Sequence, residues 1–415
     1  MTKYFPIRTN TSCQLKWTWS SLYLYAGLTN SCHRVNYDPL TVDNIENFHN
    51  TPKKINDRKI MLDGEWPAGG CEYCQRIENA GGVSDRIMQL NVPDLTPPEV
   101  VDNYSAVEVT PRIVEVYFDN TCNMSCVYCS DMFSSKIQQE NTKFGRFEKS
   151  GVVIENKFSK KSDFDQLTQK FWSWLDNNYQ HIHRFHIVGG EPFYQKQLDD
   201  YIDFLSSRKN VKLELNIISN LMIDPNRLKD KINKIKKLVA EKKIKRFELT
   251  ASIDCWGPEQ EYIRQGLDLT LWKQNFEYIV SESWIVLNIN QVISALSVPS
   301  VVPLLEYVNS LRTNRTIGHH LITVTLPSYL NPDIFGNSIF DSEFEKILSL
   351  MPEDTWQHKE SKNYMKGVML QISKSQCNSQ ELAKLKVYLT ELDRRRNTNW
   401  QETFPWLVKE LQDVV

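Results

Sequence analysis

The sequence predicts an α/β protein in which six parallel strands alternate with helices. Two observations support this class: six short apolar runs recur between residues 105 and 330, and amphipathic helical stretches separate them. Because a helical crossover returns the chain to the same end of a sheet, strands joined in this way pair in parallel. Around this core we expect a small, loop-rich and cysteine-rich domain at 1–92, a proline-rich link at 93–104 and a helical tail at 338–415.

The strands follow from apolar and alternating runs bounded by turn residues. In chain order they are predicted at residues 113–119, 185–188, 212–219, 247–254, 285–294 and 321–326. Apolar residues at helical spacing predict one helix before the second strand and another after it. The first helix carries Phe164, Leu167, Phe171, Trp174 and Leu175, with Ser162 as its N-cap, and the other carries Leu198, Tyr201, Ile202 and Leu205.

Alternation within the strands predicts which side chains face the interior, because successive strand residues point to opposite faces. In the fourth strand Phe247 and Leu249 share the apolar face, which helices must cover. The polar faces of the fourth and fifth strands carry residues that we expect to line a substrate cavity: Glu248, Asp254, Asn288 and Asn290. In the sixth strand the same rule places Thr323 and Thr325 inside and Ile322 towards the helices. The alternative is that some of these are edge strands with a solvated face.

Three cysteines in one loop give the strongest chemical signal in the chain. Cys122, Cys126 and Cys129 have the spacing C-x3-C-x2-C, and Tyr128 directly precedes the third cysteine. Three thiolates leave a tetrahedral zinc site one ligand short. They can hold three irons of a cubane cluster and leave the fourth iron open for another ligand. The alternative is three ordinary buried cysteines.

Two motifs downstream carry groups that bind polar ligands. Gly189, Gly190 and Glu191 follow the second strand. Glycine lets the backbone approach a ligand closely, and a carboxylate pairs with an ammonium group. Ser252 lies in the fourth strand, and Arg264 follows that strand. Taken alone, the glycine motif is also typical of a turn. An arginine in the position of Arg264 is also typical of a solvent-exposed helix.

Together these motifs resemble the radical S-adenosylmethionine (SAM) superfamily. The resemblance implies a partial (β/α)6 barrel and a [4Fe–4S] cluster whose open iron chelates the amino and carboxylate groups of SAM. It implies that Tyr128 lies near the adenine and that residues 189–191 receive the amino group. It further implies that Ser252 contacts the ribose or the carboxylate and that Arg264 clamps the carboxylate. One departure is that two residues intervene before the glycine that the family places after the fourth-strand aspartate.

Four further cysteines precede the core: Cys13, Cys32, Cys71 and Cys74. Their arrangement, opening with C-x13-G-x4-C and ending with Cys-Glu-Tyr-Cys, resembles the auxiliary-cluster domains known as SPASM and twitch. The resemblance implies a second [4Fe–4S] cluster on these four thiolates. A twitch domain usually follows the radical SAM core, whereas here it precedes the core, as in a subset of such proteins that phages often encode. The alternative is a zinc ribbon that uses the same cysteines, or His33 in place of one.

The resemblance implies an enzyme that reductively cleaves SAM to a 5′-deoxyadenosyl radical. That radical would abstract hydrogen from a peptide, a protein or a small polar substrate. An auxiliary cluster saturated by four thiolates would transfer electrons or stabilise the structure, and a flavodoxin- or ferredoxin-type partner would supply the electrons. Two alternatives stay open: a zinc-ribbon interaction module on a non-catalytic barrel, and an iron–sulfur electron carrier for a partner enzyme.

Composition argues against nucleic-acid and membrane partners. The 49 Lys and Arg residues against 51 Asp and Glu residues give a net charge of −2, without a polybasic tail. The arginine run at 394–396 is expected to be a surface or a salt-bridged face, and not a nucleic-acid patch. No apolar run resembles a signal peptide or spans a bilayer, so we expect a cytoplasmic protein, in the host cytoplasm if a phage encodes it. Cys255 and Cys377 receive no function, and the lysine-rich insertion at 134–161 is expected to be a solvated loop or a mobile lid.

Overall fold

A computed structural model of the chain describes residues 5–82, 84–90, 95–147, 162–312, 315–336, 339–412 and 414, and shows a mixed α/β protein with a large parallel sheet. The strands within these ranges are β1 Trp19–Tyr23, β2 Leu28–Asn30, β3 Asp38–Pro39, β4 Ile113–Tyr117, β5 Ser125–Cys126, β6 Arg184–Val188, β7 Glu214–Ser219, β8 Arg246–Ser252, β9 Arg264–Gln265, β10 Val286–Ile293 and β11 Gly318–Thr323. The α-helices are α1 Gln14–Thr18, α2 Pro52–Leu62, α3 Glu72–Asn79, α4 Asp85–Leu90, α5 Pro98–Asp102, α6 Ser135–Phe144, α7 Phe164–Asn178, α8 Lys196–Ser206, α9 Pro225–Ala240, α10 Pro258–Ile263, α11 Leu269–Ser281, α12 Val301–Leu311, α13 Asp341–Leu350, α14 Trp356–Ser373, α15 Ser379–Arg396, α16 Trp400–Thr403 and α17 Pro405–Glu410.

The main sheet has the strand order β11-β10-β8-β7-β6-β4-β1-β2-β3. The six predicted strands are β4, β6, β7, β8, β10 and β11, and each pairs in parallel with its neighbours in this order. Helices connect them, as the alternating pattern predicted. Both predicted helices are present as α7 and α8, although Asp163 rather than Ser162 occupies the N-cap position of α7.

The apolar face of the sheet is buried beneath helices. Phe247, Leu249 and Leu287 are 0–2% exposed and belong to one apolar cluster with residues of the covering helices, such as Phe171 and Trp272. A sheet buried under crossover helices needs such an apolar face, which removes a large hydrophobic area from water. The predicted alternation is therefore confirmed for β8 and β10, and their polar residues face the opposite side.

The sixth strand is displaced from its predicted position, and its faces are reversed. It begins at Gly318 instead of Leu321, and Asn290 of β10 lies opposite His320 while Val292 lies opposite Ile322. Because residues paired across a sheet share a face, His320 and Ile322 face the interior instead of the threonines. The prediction was wrong because the residues that follow β11 have the composition of a strand, yet the chain leaves the sheet there.

The N-terminal region extends the main sheet, which the loop-rich expectation did not include. β1 pairs in parallel with β4, and β2 and β3 continue the sheet in antiparallel fashion. The strand lacks a clear apolar run because Ser20 and Ser21 occupy its centre. Both are buried with satisfied hydroxyls: Ser21 Oγ donates to Glu115 Oε1 at 2.8 Å, and Ser20 Oγ lies 2.8 Å from His49 Nδ1. A strand that buries hydrogen-bonded serines escapes detection by hydrophobic pattern.

The insertion at 134–161 begins with a helix instead of the expected loop. The Ser134 hydroxyl accepts a hydrogen bond from the Ile137 amide and caps α6, whose Ile137 is buried. A capped helix with one buried face is a structured element, so the loop expectation was wrong for this part. Residues 148–161 lie outside the described residues.

The C-terminal residues form the predicted helical tail, α13 to α17. The Tyr388 hydroxyl on α15 donates to the Val127 carbonyl in the cysteine loop, and Arg396 pairs with Glu140 of α6 at 2.9 Å. Arg394 also pairs with Glu391. The arginine run is therefore a salt-bridged face, as predicted, and the tail packs on the segment that carries the cysteines. Among the described helices, none combines the length and the apolar character that crossing a membrane requires.

Candidate active site

One cavity of about 300 Å³ gathers every residue that the sequence predicted to hold the first cluster or SAM. It lies where β4, β6, β7 and β8 end, the edge of a parallel sheet at which ligands usually bind. The predicted residues in its lining are Cys122, Cys126, Tyr128, Cys129, Gly189, Gly190, Glu191, Ser252 and Arg264. The fold thus brings together motifs that are far apart in the chain.

Hydrogen bonds to backbone shape the cysteine loop. Ser134 Oγ donates to the Met124 carbonyl at 2.6 Å, and Asn120 Nδ2 donates to the Asp131 carbonyl at 2.8 Å. The short strands β5 and β9 pair antiparallel, with Cys126 opposite Arg264. This pairing explains how an arginine remote in sequence comes to lie beside the second cysteine.

The three loop thiols suit a metal cluster by their chemistry and their surroundings. Burial, assisted by the nearby Cys126 thiol, raises the pKa of Cys122 to about 12, and burial also raises the pKa of Cys126 and Cys129. All three are free thiols. Thiols that burial keeps protonated become thiolates when a metal binds them, and three thiolates match a cubane with one open iron. The residues present therefore fit the implied [4Fe–4S] cluster.

The two glycines after β6 lie where no side chain fits. Gly189 has φ +79°, and a Cβ there would stand 2.5 Å from Tyr117 Cδ1. Gly190 has φ +50°, and a Cβ there would stand 2.2 Å from the Thr121 carbonyl oxygen. Both backbone conformations and both contacts require glycine, and the result is bare backbone beside the cavity.

Glu191 lies in the cavity wall as a buried carboxylate, 1% exposed. Its Oε2 accepts from the Asn220 amide at 2.7 Å, and its Oε1 accepts from Ser219 Oγ at 2.8 Å and from the Phe193 amide at 3.1 Å. Burial raises its pKa to about 7, although these donors oppose the shift. A cation in the cavity would lower that pKa again, so the site favours an ammonium group next to Glu191.

Arg264 is paired within the protein, a contact the sequence did not predict. Its Nε and Nη2 each donate to Asp254 at 2.9 Å, and Asp254 also accepts from the Tyr128 hydroxyl at 2.6 Å and from the Val292 amide at 3.0 Å. Asp254 was predicted to line the substrate cavity, but it is 0% exposed and lines neither cavity described here. Its carboxylate instead positions the guanidinium and the ring of Tyr128. Arg264 Nη1 makes no hydrogen bond within the described residues.

Three of the four N-terminal cysteines pack in one apolar cluster, and the fourth, Cys74, lies on α3. Cys13 and Cys71 occupy the N-cap positions of α1 and α3, and both belong to one apolar cluster with Cys32 packed against it. Burial, assisted by the Cys32 thiol, raises the pKa of Cys13 to about 12, and burial also raises the pKa of Cys71, although the Lys16 ammonium opposes that rise.

His33, the alternative zinc ligand, contacts another group. Its Nε2 lies 3.2 Å from Glu115 Oε1, at the polar face of β4. Within the described ranges, no three His, Cys, Asp or Glu side chains meet at distances suited to a single metal ion.

A second cavity of about 330 Å³ lies on the polar face of the sheet. Of the residues predicted to line the substrate cavity, Glu248 and Asn290 line this one. Asn288 does not: its side chain is buried, and its Nδ2 donates to Glu248 Oε1 at 2.8 Å. Further lining residues that the sequence analysis did not single out are Arg184, His186, Glu214, Asn216 and Arg246. The alternation in β6, β7 and β8 places them on one face, because Arg184 and His186, Glu214 and Asn216, and Arg246 and Glu248 each lie two residues apart. Ile218 lines both cavities, so the two share a wall.

No protein-family model matches the chain, and no curated protein matches it. Among solved structures, it is similar to Streptococcus suis SuiB bound to S-adenosylmethionine, with 14% identity, a TM-score of 0.35 and coverage of 91% of this chain and 69% of that one. SuiB bound to its precursor peptide SuiA gives 13% identity, a TM-score of 0.33 and coverage of 91% and 68%. The FeFe-hydrogenase maturase HydG from Carboxydothermus hydrogenoformans shares 16% identity with a TM-score of 0.31, and the match covers 64% of this chain and 58% of that one. At these scores the likeness establishes neither a family nor a function.

Proposed function

We propose that the chain is a radical SAM enzyme with an auxiliary iron–sulfur cluster. The observation that carries the proposal is the convergence of Cys122, Cys126 and Cys129 with Gly189–Gly190–Glu191, Ser252 and Arg264 on one cavity. Three free thiols, bare glycine backbone, a buried carboxylate and an arginine complement a site-differentiated cluster and an amino-acid ligand. In this proposal the three thiols hold a [4Fe–4S] cluster and the remaining groups hold SAM.

Each lining group would have a separate task. Glu191 would accept a hydrogen bond from the ammonium group of SAM, and the free Nη1 of Arg264 would donate one to the carboxylate of SAM. Asp254 would keep Arg264 oriented, and Ser252 and Tyr128 would contact the nucleoside. When bound, the cluster and SAM supply one-electron chemistry: reductive cleavage of SAM to a 5′-deoxyadenosyl radical that takes a hydrogen atom from a substrate. The side chains around them position the reactants and exclude water.

The remaining assignments complete the proposal. Cys13, Cys32, Cys71 and Cys74 would hold a second [4Fe–4S] cluster that exchanges electrons with the first site. A flavodoxin- or ferredoxin-type protein would act as reductant in the cytoplasm. The division into an auxiliary domain at 1–92, a core at 105–330 of the (β/α)6 type and a tail at 338–415 belongs to the same proposal. The substrate would be a peptide, a protein or a small polar molecule.

Anaerobic reconstitution tests the activity. The full chain is loaded with iron and sulfide, mixed with SAM and dithionite, and assayed for 5′-deoxyadenosine. We expect release of this product by the wild type and none by the Cys126→Ala variant. Cys377→Ala is the matched control, because Cys377 is exposed and lies outside both cysteine groups. Equal product from wild type and Cys126→Ala, or none from a wild type shown to contain iron and sulfide, would overturn the proposal.

A further inference from the structure

The second cavity contains polar atoms that the protein itself leaves unpaired. His186 Nε2, Asn216 Oδ1 and Arg246 Nε are buried without a hydrogen-bond partner among the described residues, and all three residues line this cavity. Buried polar atoms are nearly always paired, and each one left unpaired costs free energy. Three such atoms around one cavity indicate that a ligand supplies the missing partners.

The charged groups of the lining are paired with one another or with neighbouring residues. Arg184 Nε and Arg246 Nη2 both donate to Glu214 Oε2, at 3.2 Å and 2.9 Å, and Glu248 is the other carboxylate of the lining. Both lining histidines, at 186 and 320, are neutral at pH 7 because burial lowers their pKa, to about 4 for His186. Lys245 Nζ, outside the lining, also donates to Glu214 Oε1 at 2.8 Å, and Glu248 accepts from Asn288. The charged groups of the lining therefore have partners within the protein, so an uncharged ligand suits the cavity better than an ion.

Each unpaired atom can take only particular hydrogen-bonding roles. Arg246 Nε can only donate a hydrogen bond, and Asn216 Oδ1 can only accept one. A ligand that satisfies both must offer an acceptor and a donor at the same time. A peptide unit does so with its carbonyl oxygen and its N–H, whereas a carboxylate offers acceptors alone and an ammonium donors alone. The neutral His186 ring can pair with either end.

We propose that this second cavity binds a peptide segment of the substrate through its backbone or side-chain amide groups. The inference rests on the proposed function, because the cavity shares the wall at Ile218 with the candidate SAM site. A peptide held in the second cavity would extend past that wall towards the cysteines. Its volume of about 330 Å³ lies within the range of small-ligand sites. The substrate class is thereby a peptide or protein instead of a charged metabolite.

The test measures binding and needs neither cluster nor SAM, so its failure is separate from failure of the SAM-cleavage assay. The probe is N-acetyl-trialanine amide, titrated into the full chain and followed by ligand-observed NMR. The comparison probes are its depsipeptide analogue, in which esters replace the amide N–H groups, and acetate and ethylammonium. We expect the peptide to bind, the depsipeptide to bind roughly tenfold more weakly and the two ions more weakly still.

Two variants locate the binding. Asn216→Leu removes the unpaired acceptor at similar volume, and we expect it to weaken peptide binding roughly tenfold. The protein should melt no lower than the wild type, because an unpaired buried group has been removed. Asn177→Leu, at an exposed position on α7, is the control and should bind like the wild type. If Asn216→Leu does not fold, Asn290→Leu, in the same lining, takes its place. Equal affinity for peptide and depsipeptide, tighter binding of either ion, or unchanged binding in the cavity variant would overturn the inference.

Discussion

Asp254 stabilises the site through a charge pair with Arg264 that is largely buried. Its side chain is 0% exposed and holds both the Arg264 guanidinium and the Tyr128 hydroxyl. Removing one partner of a buried ion pair leaves the other charge uncompensated, which costs more than the pair itself contributes. The carboxylate therefore acts on the cavity indirectly, by fixing the orientation of two residues in its wall.

Asp254→Asn should lower the free energy of unfolding by about 3–5 kcal/mol, because it leaves Arg264 buried without its counter-charge. Urea denaturation of the metal-free protein measures the change. The control is Glu277→Gln, which removes a carboxylate that lies 3.9 Å from Lys273 at the surface, with both side chains nearly half exposed. That variant should change stability by less than about 1 kcal/mol. Similar values for the two variants would contradict the buried-pair account.

Glu191 should make the stability of the metal-free protein depend on pH. Burial raises its pKa in the folded state to about 7, from 4.5. An acid whose pKa is raised by folding contributes stability that is complete below the unfolded pKa and is lost as pH rises through the folded pKa. Between about pH 5 and about pH 8 the wild type should therefore lose up to about 3 kcal/mol through this group. Glu191→Gln should lack this part of the decrease in urea melts, and parallel curves for both proteins would rule out the assignment.

At the scale of elements, β8 separates a packing face from a cavity face. Phe247 is 0% exposed against the helices, whereas Glu248 lines the second cavity and bonds to Asn288 of β10. This division arises from the two-residue period of a strand, which sends neighbouring side chains to opposite sides. The same strand thus serves the core and the candidate substrate site.

Phe247→Ala should destabilise the protein by about 3–5 kcal/mol, because it leaves a cavity in the core. Asn288→Ala should cost less, about 1–3 kcal/mol, because it removes the hydrogen bonds that this buried side chain makes with Glu248 and Gln357. It should reduce product formation more than Phe247→Ala does, because Glu248 in the cavity lining loses its partner. Thermal melts and 5′-deoxyadenosine yields measured on both variants make the comparison. Phe247→Ala melting like the wild type while Asn288→Ala unfolds would show that the faces are inverted.

Sequence alone predicted the elements where the hydrophobic period was clear. The strands β4, β6, β7, β8 and β10 have alternating or apolar runs, and the cysteine loop has a spacing that few other sites share. Three features escaped. β1 buries serines whose hydroxyl groups are hydrogen-bonded within the protein. β11 ends although the alternation of polar and apolar residues continues beyond it. The helix α6 begins in a stretch rich in charged and polar residues. Tertiary packing determines the structure of all three elements, and a local sequence pattern carries no information about that packing.

The sequence predicted which residues belong to the site, but not which of them contact each other. The residues proposed for the cluster and SAM line one cavity, as their motifs indicated. The contact of Asp254 with Arg264 depends on the antiparallel pairing of β5 with β9. This pairing returns the chain to the cysteine loop at Arg264, ten residues after Asp254. Two-residue strands carry no periodicity, so the sequence gives no sign of this return.

At the scale of the whole molecule, two groups of cysteines occupy separate parts of one sheet-based structure. Cys122, Cys126 and Cys129 lie at the carboxyl ends of the core strands, and the four N-terminal cysteines lie around α1 and α3. The C-terminal helices pack against the first group through Tyr388. The proposed function assigns a cluster to each group, which the metal content of the protein tests.

Anaerobically reconstituted protein should contain about eight irons per chain, because each [4Fe–4S] cluster contributes about four. Replacing Cys122, Cys126 and Cys129 by Ala should leave about four, and replacing Cys71 and Cys74 by Ala should likewise leave about four. Colorimetric iron and sulfide analysis measures both, with zinc determined in parallel. Iron content unaffected by the first set would contradict the core cluster, and stoichiometric zinc lost with the second set would favour the zinc ribbon.

The parallel pairing of β1 with β4 has a consequence for any shortened form of the chain. β4 is an interior strand only because residues from the N-terminal region cover its outer side. Cutting away residues 1–92 would remove β1 and expose the unpaired N–H and C=O groups of β4 between Ile113 and Tyr117. Exposed edges of this kind template pairing with other molecules. In the full chain the N-terminal region covers this edge, so a truncated core should precipitate during expression where the full chain stays dispersed.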